Sequence, residues 1–225
     1  MKRGKNYRTA EEARDKSKVY DAAEAMQFIK SQAKAKFDES VEVHIKLAID
    51  PKRGDQAIRG SVSLPHGTGK TAKVAVITTT KADDAKAAGA DIIGGQEMVD
   101  EIKAGNLPDA DVIVATPEMM PKLAAAAKVL GPRGLMPSPK TETVTTDVAR
   151  VIGELKQGKE NIKNDKGAIV HQVIGKVSFT EEQLAENYAA LIGAVKDLKT
   201  DAHKSALIAS ITTCSTMGPS VKVKA

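Results

Sequence analysis

The sequence predicts an α+β domain, with helices on one face of a largely antiparallel sheet, interrupted by an inserted α/β domain on a parallel sheet. Three observations lead there. The six aromatic residues are Tyr7, Tyr20, Phe28, Phe37, Phe179 and Tyr188, and none lies between Phe37 and Phe179. Charge divides in a similar place: residues 68–159 hold 12 basic and 12 acidic side chains, while residues 1–67 hold 14 and 10 and residues 160–225 hold 8 and 7. The flanks therefore carry the whole formal charge of +5. Third, the apolar period changes at both boundaries. These fall at the turn-rich Pro65–Gly69 and near Gly158, so residues 1–67 and 160–225 form one discontinuous domain and 68–159 the insert.

Taken in order, residues 18–36 show a helical stripe of Val19, Ala22, Ala23, Met26, Ile29 and Ala33. Val41, Val43, Ile45, Leu47 and Ile49 alternate with Glu42, His44, Lys46 and Ala48, which predicts a half-buried strand. Arg59–Leu64 is expected to pair with it. Val74–Ile77 reads as a buried strand and Ala82–Ala88 as a helix. Asp91–Ile93 is a strand, Gln96–Ala104 a helix, Val112–Ala115 a strand and Met119–Leu130 a helix that starts after Thr116 as N-cap. This βαβα rhythm implies a parallel sheet with helices on both faces. Beyond it, Ile169–Val177 is strand-like and Glu181–Leu198 is an amphipathic helix with Thr180 as N-cap. Ala206–Thr213 is read as a last strand.

Composition excludes several classes. Hydrophobic content of 41% is too high for a disordered chain. There is no apolar run long enough for a membrane span, and Met1–Glu12 lacks the apolar core of a secretory signal. The single cysteine, Cys214, rules out a disulfide framework and fits a reducing, cytoplasmic compartment. The histidines, His44, His66, His171 and His203, have no metal-ligand spacing. No catalytic signature is present. Gly67-Thr68-Gly69-Lys70-Thr71 resembles the end of a phosphate-binding loop. However, Leu64 stands where the first glycine is needed, and a strand follows rather than a helix. A hinge between domains fits it better. The rival reading, a nucleotide-binding enzyme using the carboxyl ends of the central strands, meets Thr78-Thr79-Thr80-Lys81, with no glycine, after the first strand.

Two segments stand out. Gly131–Lys140 (GPRGLMPSPK) packs two glycines and three prolines into ten residues and reads as a rigid connector or an interaction loop. Thr212–Val221 (TTCSTMGPSV) joins hydroxyl side chains to a Gly-Pro turn, which suits sugar and phosphate oxygens as well as a plain terminal loop. Phe37 suits either stacking on a base or a place in the core.

Together, Ala35–Asp50 (AKFDESVEVHIKLAID), Asp55–Lys70 (DQAIRGSVSLPHGTGK), Leu130–Pro139 (LGPRGLMPSP), Asn164–Lys176 and Ser215–Val221 (STMGPSV) resemble the bacterial-type family of stalk proteins numbered first in the large ribosomal subunit. The resemblance spans nearly the whole chain. It implies an inserted Rossmann-like three-layer domain and binding of large-subunit ribosomal RNA at the mobile stalk, among other ribosomal components. It also implies contact with exit-site tRNA, whose release the family assists, and repression of the protein's own messenger. It implies no enzyme, no cofactor and no membrane. By motif match, the RNA contacts fall on Lys36, Phe37, Ser40, His171, Thr216, Met217, Gly218 and Ser220. Ser40 stands where many relatives have Thr, and Cys214 and Ser215 break a usual run of threonines. Lys52, Arg53 and Arg59 are auxiliary phosphate contacts by charge. The expected mechanism is reading of 2′-hydroxyls by the Thr216 and Ser220 hydroxyls and the Gly218 backbone, with Phe37 and Met217 excluding water.

Overall fold

A computed structural model describes residues 3–199 and 206–224; Met1 and His203, named above, lie outside that range. The chain divides into two compact units, one running to Gly69 and resuming at Glu160, the other Lys70–Lys159.

In the first unit the alternating segment forms β1 (Ser40–Leu47), with Val41, Val43, Ile45 and Leu47 buried. Both of its edges are occupied. It pairs antiparallel with β7 (Ile169–Lys176) and with β8 (Ile208–Ser215), and β9 (Val221–Val223) adds outside β8, giving the order β7-β1-β8-β9. β8 is therefore not the last strand: the turn at Gly218-Pro219 brings Val221 and Val223 back into the sheet. Helices α2 (Ala22–Gln32) and α8 (Glu181–Asp197) pack on the inner face. Met26 and Ile29 meet Leu184, Leu191 and Val195 over the apolar row of β1. α8 starts with a reciprocal cap: Gln183 N–H donates to Thr180 Oγ1 at 3.2 Å, and Thr180 N–H donates to Gln183 Oε1 at 3.0 Å.

Three expectations for this unit need correction. α2 begins at Ala22 because Tyr20 is extended: its N–H and C=O bond Lys222 and Lys224, leaving Val19 and Ala23 exposed. The segment expected to pair with β1 forms β2 (Arg59–Ser63), which pairs instead with β6 (Lys159–Lys163), because β1 has no free edge. Gly60 permits close packing there, since a Cβ on it would lie 2.7 Å from a Leu198 methyl carbon. A further helix, α1 (Lys5–Ala13), precedes everything the periodicity identified.

In the second unit β3 (Val74–Ile77) lies between β4 (Ile92–Gly94) and β5 (Val112–Ala115), all parallel. Helices α3 (Ala82–Ala87) and α7 (Val148–Lys156) cover one face, with Ala85, Val151 and Leu155 against Val74 and Val76. α4 (Gln96–Lys103), α5 (Met120–Ala124) and α6 (Ala127–Arg133) cover the other. The single helix expected over 119–130 is broken. A 3-10 turn at Pro117–Met119 leads into α5, and the Ala125 and Ala126 N–H groups bond three residues back, which ends it. Thr116 sits at the N-cap position, but its hydroxyl makes no cap bond and is buried without a partner. Part of the Gly131–Lys140 segment is helical. α6 runs through Pro132 to Arg133 and ends where Gly134 turns left-handed at φ 73°. Ser138 then gathers the following turn, its C=O accepting from the Thr141 and Thr143 hydroxyls at 3.2 Å each.

Tyr188 on α8 donates its hydroxyl to Lys224 C=O at 2.8 Å, and burial pushes its pKa up to about 12. The folded state thus holds this proton more tightly than the unfolded chain, so its contribution is complete below about pH 10 and is lost as pH rises toward 12. Chemical denaturation across that range should show stability falling by at most about 2 kcal/mol from this group. Tyr188→Phe should flatten that fall.

Candidate nucleic-acid interface

β1 has odd-numbered residues inward, and the same parity carries one step back to Glu39. That places a carboxylate on the buried side, and Glu39 is 2% exposed. It stays there because each oxygen accepts a backbone N–H: Ala35 at 3.2 Å on Oε1 and Met217 at 3.0 Å on Oε2. Glu39 thereby ties the segment holding Lys36 and Phe37 to the turn after β8. Thr216 makes a second tie. Its hydroxyl accepts from Ser40 N–H at 3.0 Å and reaches Ser40 C=O at 3.3 Å, while Thr216 N–H donates to the same carbonyl at 3.0 Å. Ser40 Oγ accepts from Lys176 Nζ at 2.8 Å.

These bonds correct the expected mechanism in part. The Thr216 hydroxyl proton and the N–H groups of Met217 and Gly218 are spent on Ser40, Glu39 and Ser215. They build the loop rather than stand free for a ligand. Gly218 lies close to Ser215: a Cβ there would sit 2.6 Å from Ser215 Oγ and would make that side chain turn. The loop also presents two large apolar side chains outward: Phe37 is 55% and Met217 62% exposed, so Phe37 is no core residue.

Phe37, Thr216, Met217 and Gly218 line one groove of about 580 Å³, with Glu39 in it and α1 along one wall. Lys36 is exposed beside Phe37, and Ser220 is exposed beyond the turn. Arg14, the C-cap residue of α1, donates to Ser220 C=O at 2.5 Å.

The other assigned residues lie elsewhere. His171 is on β7 opposite His44, four residues along β1 from Ser40 and about 13 Å away at strand spacing. Its Nδ1 is 2.8 Å from His44 Nδ1, so one ring donates and the other accepts, and Asp165 Oδ2 is 3.5 Å from its Nε2. Burial, then His171, holds the His44 imidazole below its ordinary pKa. His44 Nε2 is 3.4 Å from Cys214 Sγ, whose thiol is pushed up by burial and then by Glu42. This polar row occupies the sheet face away from the helices. Lys52 and Arg53 follow the far end of β1, about 24 Å from Ser40 by strand length. Arg53 is engaged in a two-pronged bond with Asp55, at 2.8 and 3.3 Å. Arg59 is exposed at the start of β2. The structure thus brings together Phe37, Ser40, Thr216, Met217 and Gly218, with Lys36 and Ser220 adjoining, and separates them from His171, Lys52, Arg53 and Arg59.

Among the described residues no group of three or more His, Cys, Asp or Glu is placed to hold a metal, and no helix is long and apolar enough to cross a membrane. Sequence reasoning missed Glu39, whose signal was an acid at an inward parity position. It also missed α1, whose few apolar residues give almost no periodic signal.

The model of the Ribosomal protein L1p/L10e family matches residues 29–219. The chain is similar to the protein named large ribosomal subunit protein uL1 in several organisms. For that of a Nocardioides species the identity is 49% over 224 residues, covering 99% of this chain and 93% of the relative. For Mesoplasma florum it is 51% over 210 residues, covering 93% and 92%. For Thermobifida fusca it is 48% over 224 residues, covering 99% and 95%.

Proposed function

The chain belongs to the ribosomal protein L1p/L10e family, whose members are structural constituents of the large ribosomal subunit and not enzymes, and on that premise we propose that its first unit binds large-subunit ribosomal RNA through the Phe37–Met217 groove. The observation that carries this is the pair of exposed apolar side chains, held in place by hydrogen bonds to the buried Glu39 carboxylate and to the Thr216 hydroxyl. A preformed loop loses little conformational entropy on binding, and its apolar tips displace water from the RNA surface. Lys36 adds charge beside them. His171, on the exposed polar face of the sheet, is a separate proposed contact away from the groove. The second unit, over 68–159 in the sequence reading, is the inserted domain and makes no primary RNA contact in this proposal.

Exit-site tRNA and the protein's own messenger are further proposed partners on the cytoplasmic ribosome, by the family resemblance. The separate basic group of Lys52 and Arg59 is the proposed phosphate contact for one of them.

The test is titration of ribosomal RNA stalk fragments at several salt concentrations. Binding should weaken with salt to the extent set by the cations at the groove, Arg3, Lys5, Lys34 and Lys36. Thr216→Val removes the acceptor of the Ser40 N–H and should weaken RNA binding about 10-fold, the scale of one lost hydrogen bond that shapes the loop. Lys52→Ala should leave the affinity for this RNA nearly unchanged. Full affinity in Thr216→Val would remove the loop from the site.

A further inference from the structure

We propose that the groove beneath α1 is a pocket for a single unstacked nucleotide of the bound RNA, with α1 as its second wall. This rests on the RNA-binding reading above and assigns it residues that neither the motif nor the composition singled out.

The pocket has apolar surface from both the loop and α1. Phe37 and Met217 supply the first, and the Tyr7 aromatic ring supplies the second. The Arg3 guanidinium already lies over the Tyr7 ring, 4.5 Å from its centroid. Aromatic and guanidinium planes are the surfaces on which unstacked bases lie, and each stacked base contributes sequence-tolerant affinity. The pocket also carries charge. Glu39 is the negative group within it, with both oxygens satisfied by backbone N–H groups. Arg3, Lys5 and Lys34 are exposed, line the same groove and make no salt bridge to a described acid. A ligand with an apolar ring and an anionic tail matches this lining, with its ring against Phe37, Met217 and Tyr7 and its phosphate toward Arg3, Lys5 and Lys34.

The wall is fixed rather than draped. Arg14 at the end of α1 donates to Ser220 C=O, so the helix is tied to the segment that follows the Met217–Gly218 turn. Ala10 is buried beneath it. At about 580 Å³ the groove falls within the size range of small-ligand sites and holds one nucleotide, not a helix. A duplex alone would leave it empty, so the occupant comes from a bulge, a loop or an unpaired junction.

The experiment uses the full chain and a stalk RNA fragment. Tyr7→Ala should weaken binding about 10-fold, the scale of one base–aromatic stack, and Tyr7→Phe should restore it. The double variant Arg3→Ala, Lys5→Ala should weaken binding and lower the slope of log affinity against log salt by about two. A scan of single abasic substitutions in the RNA should find one position whose effect is not additive with Tyr7→Ala, which identifies the base in the pocket. Circular dichroism checks that each variant keeps its helix content. Wild-type affinity in all the Arg3, Lys5 and Tyr7 variants, with Phe37→Ala still defective, overturns the pocket and leaves the RNA-binding reading intact. Wild-type affinity in Phe37→Ala as well overturns both. A parallel titration with adenosine and guanosine monophosphate separates the sources. Saturable micromolar binding that Tyr7→Ala abolishes, with RNA affinity unchanged, overturns the proposal in favour of a free-nucleotide site.

Discussion

Replacing Glu39 by alanine is expected to weaken RNA binding about 30- to 100-fold and to lower the melting temperature of the first unit. The carboxylate is 2% exposed, and each oxygen accepts one backbone N–H, from Ala35 and from Met217. Hydrogen bonds to a charged acceptor are worth about 1.5–3 kcal/mol each, and an orphaned buried donor costs about 1–3 kcal/mol. Losing two such bonds frees the Lys36–Phe37 segment and the Met217 turn together, so the groove is no longer preformed. Glu39→Gln separates geometry from shape. It keeps the volume and one good acceptor but turns an NH₂ donor toward the other N–H, so its loss should fall between wild type and alanine. Calorimetric titration and thermal melts of the same samples divide the effect between affinity and stability. Affinity within twofold of wild type for Glu39→Ala would show that these ties do not shape the binding surface.

The largest stability effect is expected at Asn187 on α8. Its amide is completely buried and fully used: Nδ2 donates to Gly67 C=O at 2.9 Å and to Ile174 C=O at 2.7 Å, and Oδ1 accepts from His66 N–H at 3.1 Å. One side chain thus joins α8, the strand β7 and the turn at Gly67. Gly67 and Gly69 there adopt φ of 63° and 76°. Asn187→Leu leaves three backbone groups without these partners, Ile174 C=O fully buried and His66 N–H and Gly67 C=O partly so. The cost should be about 3–5 kcal/mol, less than three full desolvation penalties because the turn relaxes. In urea the midpoint should fall with little change in slope. Asn187→Asp, which keeps the acceptor and loses both donors, should be nearly as harmful. A loss below about 1 kcal/mol in both variants would mean that water replaces the amide.

Much of this fold is legible in local pattern. The alternation from Val41 to Leu47 gives β1 and its inward face, and Thr180 with Gln183 gives the start of α8 to the residue. The apolar runs at 74–77 and 112–115 give β3 and β5 because buried parallel strands need no alternation. What local pattern lacks is partner choice. Arg59–Ser63 is strand in itself, but its pairing with β6 depends on β7 and β8 having taken both edges of β1. The site shows the same limit. Its exposed tips and glycine were assigned from motif resemblance. The acceptors to which Thr216 and Met217 donate, on Ser40 and Glu39, lie 176 and 178 residues away along the chain, where no spacing rule reaches. The parity of Glu39 was visible, but its meaning required knowing what stood opposite.

The aromatic residues give the molecule a built-in optical asymmetry. Tyr7, Tyr20 and Tyr188 all belong to the first unit, and Lys70–Lys159 contains no Tyr, Phe or Trp. Near-ultraviolet excitation therefore lights one unit and leaves the other dark. Tyrosine emission will follow the melting of the sheet that carries the groove while unfolding of the parallel sheet passes unseen. One tryptophan placed on the dark unit would supply a second colour, and the two could then be watched separately in a single cuvette.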